Sequence, residues 1–181
     1  KEADGRAGIL RITQSGQPVG AGIINDSYPL NLFYAYGIKN SFGIDFDPVT
    51  GTLWDTENGP AFGDEINLVE PGFNSGWKQL QGIWMVNATL DKEGLAPTNP
   101  EGLVDFDGKG KYSTPEFTWD KSVGPTALTF LNTDKLGIGY KNDILVGDIK
   151  YGNIYHFKLN TDRNSLDLNG DMIDRIANSS K

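Results

Sequence analysis

The 181-residue chain has no cysteine and one histidine. Without cysteine there is no disulfide framework, no thiolate nucleophile and no Cys-ligated zinc, and the redox compartment leaves no mark. With His156 alone, a Ser-His-Asp triad served by any other histidine and a zinc site built on two histidines are excluded. No run of eighteen apolar residues is present, so no segment reads as a membrane-spanning helix. Nor does any segment hold a helical period for three turns. Positive charge is also scarce: 16 Lys and Arg stand against 24 Asp and Glu, a net charge of −8. That balance disfavours nucleic acid and anionic membrane surfaces and leaves small neutral or cationic partners open.

The remaining composition is that of a folded globular protein, 38% hydrophobic and 22% charged, and the length suits one domain with a sizeable core. Lys1 is neither an initiator Met nor the start of a signal peptide, so the chain is expected to be a piece of something longer. Asn87-Ala88-Thr89 and Asn178-Ser179-Ser180 match the glycosylation acceptor pattern, which is too short to carry weight.

Short strands separated by Gly, Asn, Asp and Pro recur along the chain. Gly8 to Ile12 alternates, and Phe42 to Phe46, the turn Asp47-Pro48-Val49-Thr50-Gly51 and Thr52 to Thr56 read as a hairpin. Further strands are expected at Glu65 to Val69, Glu116 to Trp119, Ala127 to Leu131, Asp143 to Gly147 and Asn153 to Leu159. Many short strands without helices, with 23 Gly and 9 Pro for turns, indicate an all-β sandwich, barrel or propeller. Between Gln81 and Lys111 the regularity lapses, which predicts a long loop. In the strand Asn153 to Leu159, alternation puts Tyr155, Phe157 and Leu159 on one face and His156 on the other, and no acid-base partner for His156 sits nearby in sequence. Asp167 to Asp171 lacks the spacing of a calcium loop and reads as a polar hairpin turn.

Thr56 to Trp77, TENGPAFGDEINLVEPGFNSGW, is the densest stretch. Gly59-Pro60 exposes two successive backbone carbonyls in a fixed geometry, because proline sets its own φ and restricts the residue before it. Carbonyls and carboxylates are calcium ligands, and Glu65 is a carboxylate close by. On these residues alone the stretch is either a turn entering a strand with an acidic edge or an oxygen-ligand site.

A larger pattern contains it. Tyr36-Gly37-Ile38-Lys39-Asn40-Ser41-Phe42-Gly43 through Asp47-Pro48, Gly51-Thr52-Leu53-Trp54, Glu57-Asn58-Gly59-Pro60, Asp64 to Leu68 and Gly72 to Trp77 together resemble the glucose/sorbosone dehydrogenases, soluble quinoproteins that oxidise sugars. Pro115 to Trp119, Val123 to Leu128 and Ile144 to Leu159 continue the resemblance in order, and Gly5 to Ile12 is similar to an earlier strand of that family.

The resemblance implies a six-bladed β-propeller, of which this chain covers about three blades in one partial domain, 1–181. It implies pyrroloquinoline quinone (PQQ) and calcium as cofactors and a sugar, an aldose, as substrate. Carried over by position, the carbonyls of Gly59 and Pro60 hold the catalytic calcium; Glu65 and the carbonyl of Ser75 belong to a second, structural calcium, whose further Asp ligand has no match. Lys39, Asn40, Thr126 and Lys150 fall on cofactor-binding positions. Lys39 replaces the family's arginine, which keeps positive charge for an electrostatic role but loses the bidentate fork. For Lys150 the alternative is a solvated lysine at a strand end. The family's catalytic histidine precedes the region represented here and its last cofactor-contacting arginines would follow Lys181, so the chain holds no catalytic residue of its own. The resemblance also implies work outside the cytoplasm, periplasmic or extracellular. Open blades leave apolar faces, which predicts self-association or packing against the rest of a propeller. A non-catalytic propeller module that binds protein or glycan is the alternative reading.

Overall fold

A computed structural model describes residues 6–178; the strand residue Gly5 and the acceptor residues Ser179 and Ser180 lie outside them. Among the described residues there are fifteen short strands and three 3-10 turns and no α-helix. The chain is all-β, as expected. No helix among the described residues is long and apolar enough to cross a membrane.

The strands form four sheets. The central one has β3 (Ser41–Phe46), β4 (Leu53–Glu57), β5 (Asp64–Val69) and β11 (Phe117–Trp119) in antiparallel succession, and β15 (Ile176–Ala177) adds parallel to β11. On one side lies the sheet of β12 (Pro125–Phe130), β13 (Ile144–Asp148) and β14 (Ile154–Phe157), all antiparallel. On the other lies the sheet of β1 (Gly8–Leu10), β2 (Phe33–Tyr36), β6 (Phe73–Asn74) and β10 (Lys111–Tyr112). A small meander of β7 (Leu80–Gln81), β8 (Trp84–Val86) and β9 (Lys92–Leu95) occupies the start of the stretch expected to be a loop from Gln81 to Lys111. Its strands are too short, and too interrupted by Gly82, Asn87 and Gly94, for alternation to register. The irregular connection is therefore confined to residues 96–110.

Successive residues of a strand point to opposite faces, and β4 and β5 use both faces for burial. Leu53 and Val69, paired in register, join Ala35, Ile38 and Phe73 in one core. Trp54 and Ile66 join Phe117, Trp119, Leu128, Phe130, Ile144, Val146 and Phe157 in the other. This two-sided packing is what makes all five residues of β4 buried.

The hairpin read from the sequence is present, with Asp47 Oδ1 accepting from Val49 N at 2.9 Å across the turn. The segment Asp167 to Asp171 is not a hairpin turn. It runs into a 3-10 turn at Gly170–Met172 and then into β15, whose partner is β11 rather than β14. The reversal after β14 lies earlier, where Leu159 bridges Leu166 around the Asn160 turn.

Candidate functional site

The ends of β3, β4, β12 and β13 that carry Lys39, Asn58, Pro125 and Ile149 meet in one region. Asn58 N donates to Asn40 O at 2.9 Å, and Asn58 Nδ2 donates to Pro125 O at 3.0 Å. Thr56 Oγ1 donates to Thr126 O at 2.9 Å while accepting from Gly43 N at 2.9 Å. The edge strands β3 and β12 of the two sheets approach so closely here that a Cβ on Gly43 would collide with backbone atoms of Thr126 and Leu128. On the far side of that contact Ile149 N reaches Gly124 O at 3.0 Å, and Lys150 Nζ reaches Ser122 O at 3.0 Å. Lys39, Asn40, Gly59, Thr126 and Lys150, separated by up to 111 residues, thus share one patch.

Gly59 is buried with its N–H bonded to Asp64 Oδ1 at 2.7 Å, and a Cβ there would strike the Phe62 carbonyl. Its carbonyl, like that of Asn58, accepts from Lys39 Nζ at 3.1 Å. Two neutral oxygens converging on an ammonium form a cation-binding arrangement, and their chemistry also suits calcium. Lys39 stands 5.7 Å from the ring centre of half-buried Trp77. Lys150 is exposed and stands 5.3 Å from the Tyr151 ring centre.

Glu65 and Ser75 form a second group with Glu57, which the sequence had not singled out. Register pairs Glu57 with Glu65 across β4 and β5, and both are fully buried. Ser75 Oγ donates to Glu57 Oε2 at 2.7 Å and lies 3.0 Å from Glu65 Oε1. Gln81 Nε2 and Gly82 N also donate to Glu65, and Lys39 N donates to Glu57 Oε1 at 2.6 Å. Burial, then the charge of the other acids, pushes Glu57 and Glu65 above the ordinary carboxylate range. Burial raises Asp55, two residues back on β4, to about 6. It is the hydroxyl of Ser75 that meets the carboxylates, and each oxygen of Glu65 accepts from a donor.

His156 is on the face opposite Tyr155, Phe157 and Leu159, which pack on the core. Pairing of β13 with β14 gives it the partner that sequence distance concealed: its Nε2 lies 2.7 Å from Asp143 Oδ2, with the Tyr140 ring at 4.8 Å. A cavity of about 670 Å³ lies beside this strand and is lined by Phe117, Trp119, Tyr155 and Met172, among others. Its walls include neither Lys39 nor Gly59.

Comparison with known proteins bears on this patch. A model of the family described as glucose/sorbosone dehydrogenase matches residues 2–177. The chain is 27% identical over 160 residues to an aldose sugar dehydrogenase of Escherichia coli, covering 86% of this chain and 39% of that protein. It is 28% identical over 160 residues to an uncharacterized Synechocystis protein, covering 88% and 36%. The crystal structure of the soluble aldose sugar dehydrogenase from Escherichia coli in the apo-form aligns with a TM-score of 0.63 at 27% identity, over 87% of this chain and 43% of that one. A Streptomyces coelicolor aldose sugar dehydrogenase, solved in its PQQ-bound form, shares the fold with a TM-score of 0.60 at 19% identity, over 90% and 37%. The chain spans about two-fifths of the length of the curated relatives it matches.

Proposed function

Because the chain belongs to the glucose/sorbosone dehydrogenase family, we propose that it is the cofactor-binding part of a PQQ- and calcium-dependent sugar dehydrogenase that oxidises the anomeric carbon of an aldose. It contributes about three blades of a six-bladed propeller, and the histidine that takes the sugar hydroxyl proton lies outside this chain. The observation that carries the reading is the meeting of Lys39, Asn40, the Gly59 carbonyl, Thr126 and Lys150 at adjoining strand ends.

The bound quinone supplies a hydride acceptor, and calcium supplies a Lewis acid that polarises it. The chain's own residues bind and orient. Carbonyls of Gly59 and Pro60 are the oxygens for the ion, and the Gly59 carbonyl already accepts from a cation, the Lys39 ammonium. Were an ion held there, the Gly59 carbonyl would be one of its ligands and the Lys39 ammonium would be available to a carboxylate of the cofactor. Lys150 offers a second ammonium, while Asn40 and Thr126 offer uncharged hydrogen-bonding groups. Glu65 and the carbonyl of Ser75 would serve a second ion, and no step depends on it. A periplasmic or extracellular site of action, and a neighbouring blade or second copy covering the open face of β3, complete the proposal.

Titrating the protein with PQQ, with and without calcium, tests this by calorimetry. Calcium-dependent binding is expected, weakened roughly 10-fold or more in Lys150→Ala through loss of one charge-assisted hydrogen bond. Absence of binding to the full-length protein would overturn the proposal in favour of a non-catalytic propeller module.

A further inference from the structure

The two halves of the patch, the Asn58–Gly59 corner after β4 and the Ser122–Gly124 segment before β12, come from strands in different sheets. One side chain touches both. We propose that Asp64 is the positioning residue that holds these two segments in register, an inference that rests on the cofactor-binding reading above.

Asp64 opens β5 and is fully buried. Its Oδ1 accepts from Gly59 N at 2.7 Å and from Ser122 Oγ at 2.9 Å. Its Oδ2 accepts from Ser122 Oγ at 2.8 Å and from the N–H groups of Val123 and Gly124, both at 2.7 Å. Those donors are three backbone N–H groups and a hydroxyl, and a carboxylate is the side chain that can accept from all of them at once. The residue is itself held, since its carbonyl accepts from Thr118 Oγ1 at 3.0 Å and its backbone pairs with Trp119.

Each group that Asp64 grips carries part of the patch one bond further on. Gly59 presents its carbonyl to Lys39. Ser122, Val123 and Gly124 present theirs to Lys150 Nζ, Lys150 N and Ile149 N. A shift of the carboxylate therefore moves the metal-ligating corner and the Lys150 corner relative to one another, and a ligand spanning both reads that shift as lost affinity. Asparagine cannot replace it. One of its two terminal atoms is an NH2 group, which would face N–H donors.

The test compares Asp64→Asn with Asp47→Asn in the protein. Asp47 is a buried carboxylate at the other end of β3 and β4, bonded to Arg163 at 2.7 and 2.9 Å, and serves as the control for general destabilisation. PQQ affinity in the presence of calcium and amide hydrogen exchange are both read. Asp64→Asn is expected to weaken PQQ at least about 10-fold and to speed exchange at Gly59, Val123 and Gly124 together. Asp47→Asn is expected to lower the melting temperature without moving either readout. Should Asp64→Asn fail to fold, Ser122→Ala removes one donor and is expected to loosen Val123 and Gly124 with a smaller loss of affinity.

Unchanged affinity with both segments loosened would leave Asp64 a structural residue only and overturn the proposal. Unchanged exchange at either segment would overturn it too. If wild-type protein binds no PQQ, the functional reading falls, and the exchange readout decides the Asp64 clamp by itself.

Discussion

At the scale of single residues, burial acts on the acids of β4 and β5 in a direction that can be measured. Asp55 is fully buried beside Asn67, whose Nδ2 donates to it at 3.2 Å, and its proton affinity is raised to about 6. An acid whose folded pKa lies above its unfolded value binds more protons in the folded state over the interval between the two. Stability therefore falls as pH rises from about 4 through about 6, and the cost is complete above it. Asp55→Asn is expected to raise stability at pH 8 by on the order of 2 kcal/mol and to have little effect near pH 4, read as urea unfolding at both pH values. An equal effect at both pH values would mean that ionisation of Asp55 is not the cause. The sequence displayed these acids and hid their burial, because register across β4 and β5 is what brings Glu57 against Glu65.

At the scale of elements, the hairpin of β3 and β4 was legible, since alternation and an Asp-Pro-Val-Thr-Gly turn are both local signals. Strands β2, β6 and β10 were not. Each lies in a parallel pair, Ala35 with Phe73 and Lys111 with Phe73, and a parallel partner sits far away in sequence and leaves no turn to announce it. The close approach of β3 to β12 is equally non-local. Gly43→Ala would drive a methyl group into the backbone of Thr126 and Leu128. It is expected to cost about 1–3 kcal/mol in chemical denaturation, the usual penalty for overpacking. A cost within a few tenths of a kcal/mol would show that the two strands part easily.

At the scale of the molecule, β3 buries one face and leaves the other open. Ser41, Gly43 and Asp45 turn toward β12, where Asp45 Oδ2 accepts from Phe130 N at 2.9 Å, while Phe42, Ile44 and Phe46 are 65%, 49% and 61% exposed. Three large apolar side chains in line form an exposed stripe of the kind that favours association. Sedimentation of the chain is expected to give species above the monomer mass, reduced by Phe42→Asp with Phe46→Asp. A monomer at all concentrations would remove self-association from the proposal.

The all-β class, most of the antiparallel strands and the family itself were determined by sequence, because turn chemistry, period-two alternation and an ordered motif are properties of neighbouring residues. Tertiary structure alone decided that Lys39 bonds the Gly59 carbonyl, that Glu57 stands against Glu65 and that Asp64 joins two segments about sixty residues apart. These are contacts between strand ends, and their geometry exists only once sheets twist and pack, which no local pattern of residues encodes.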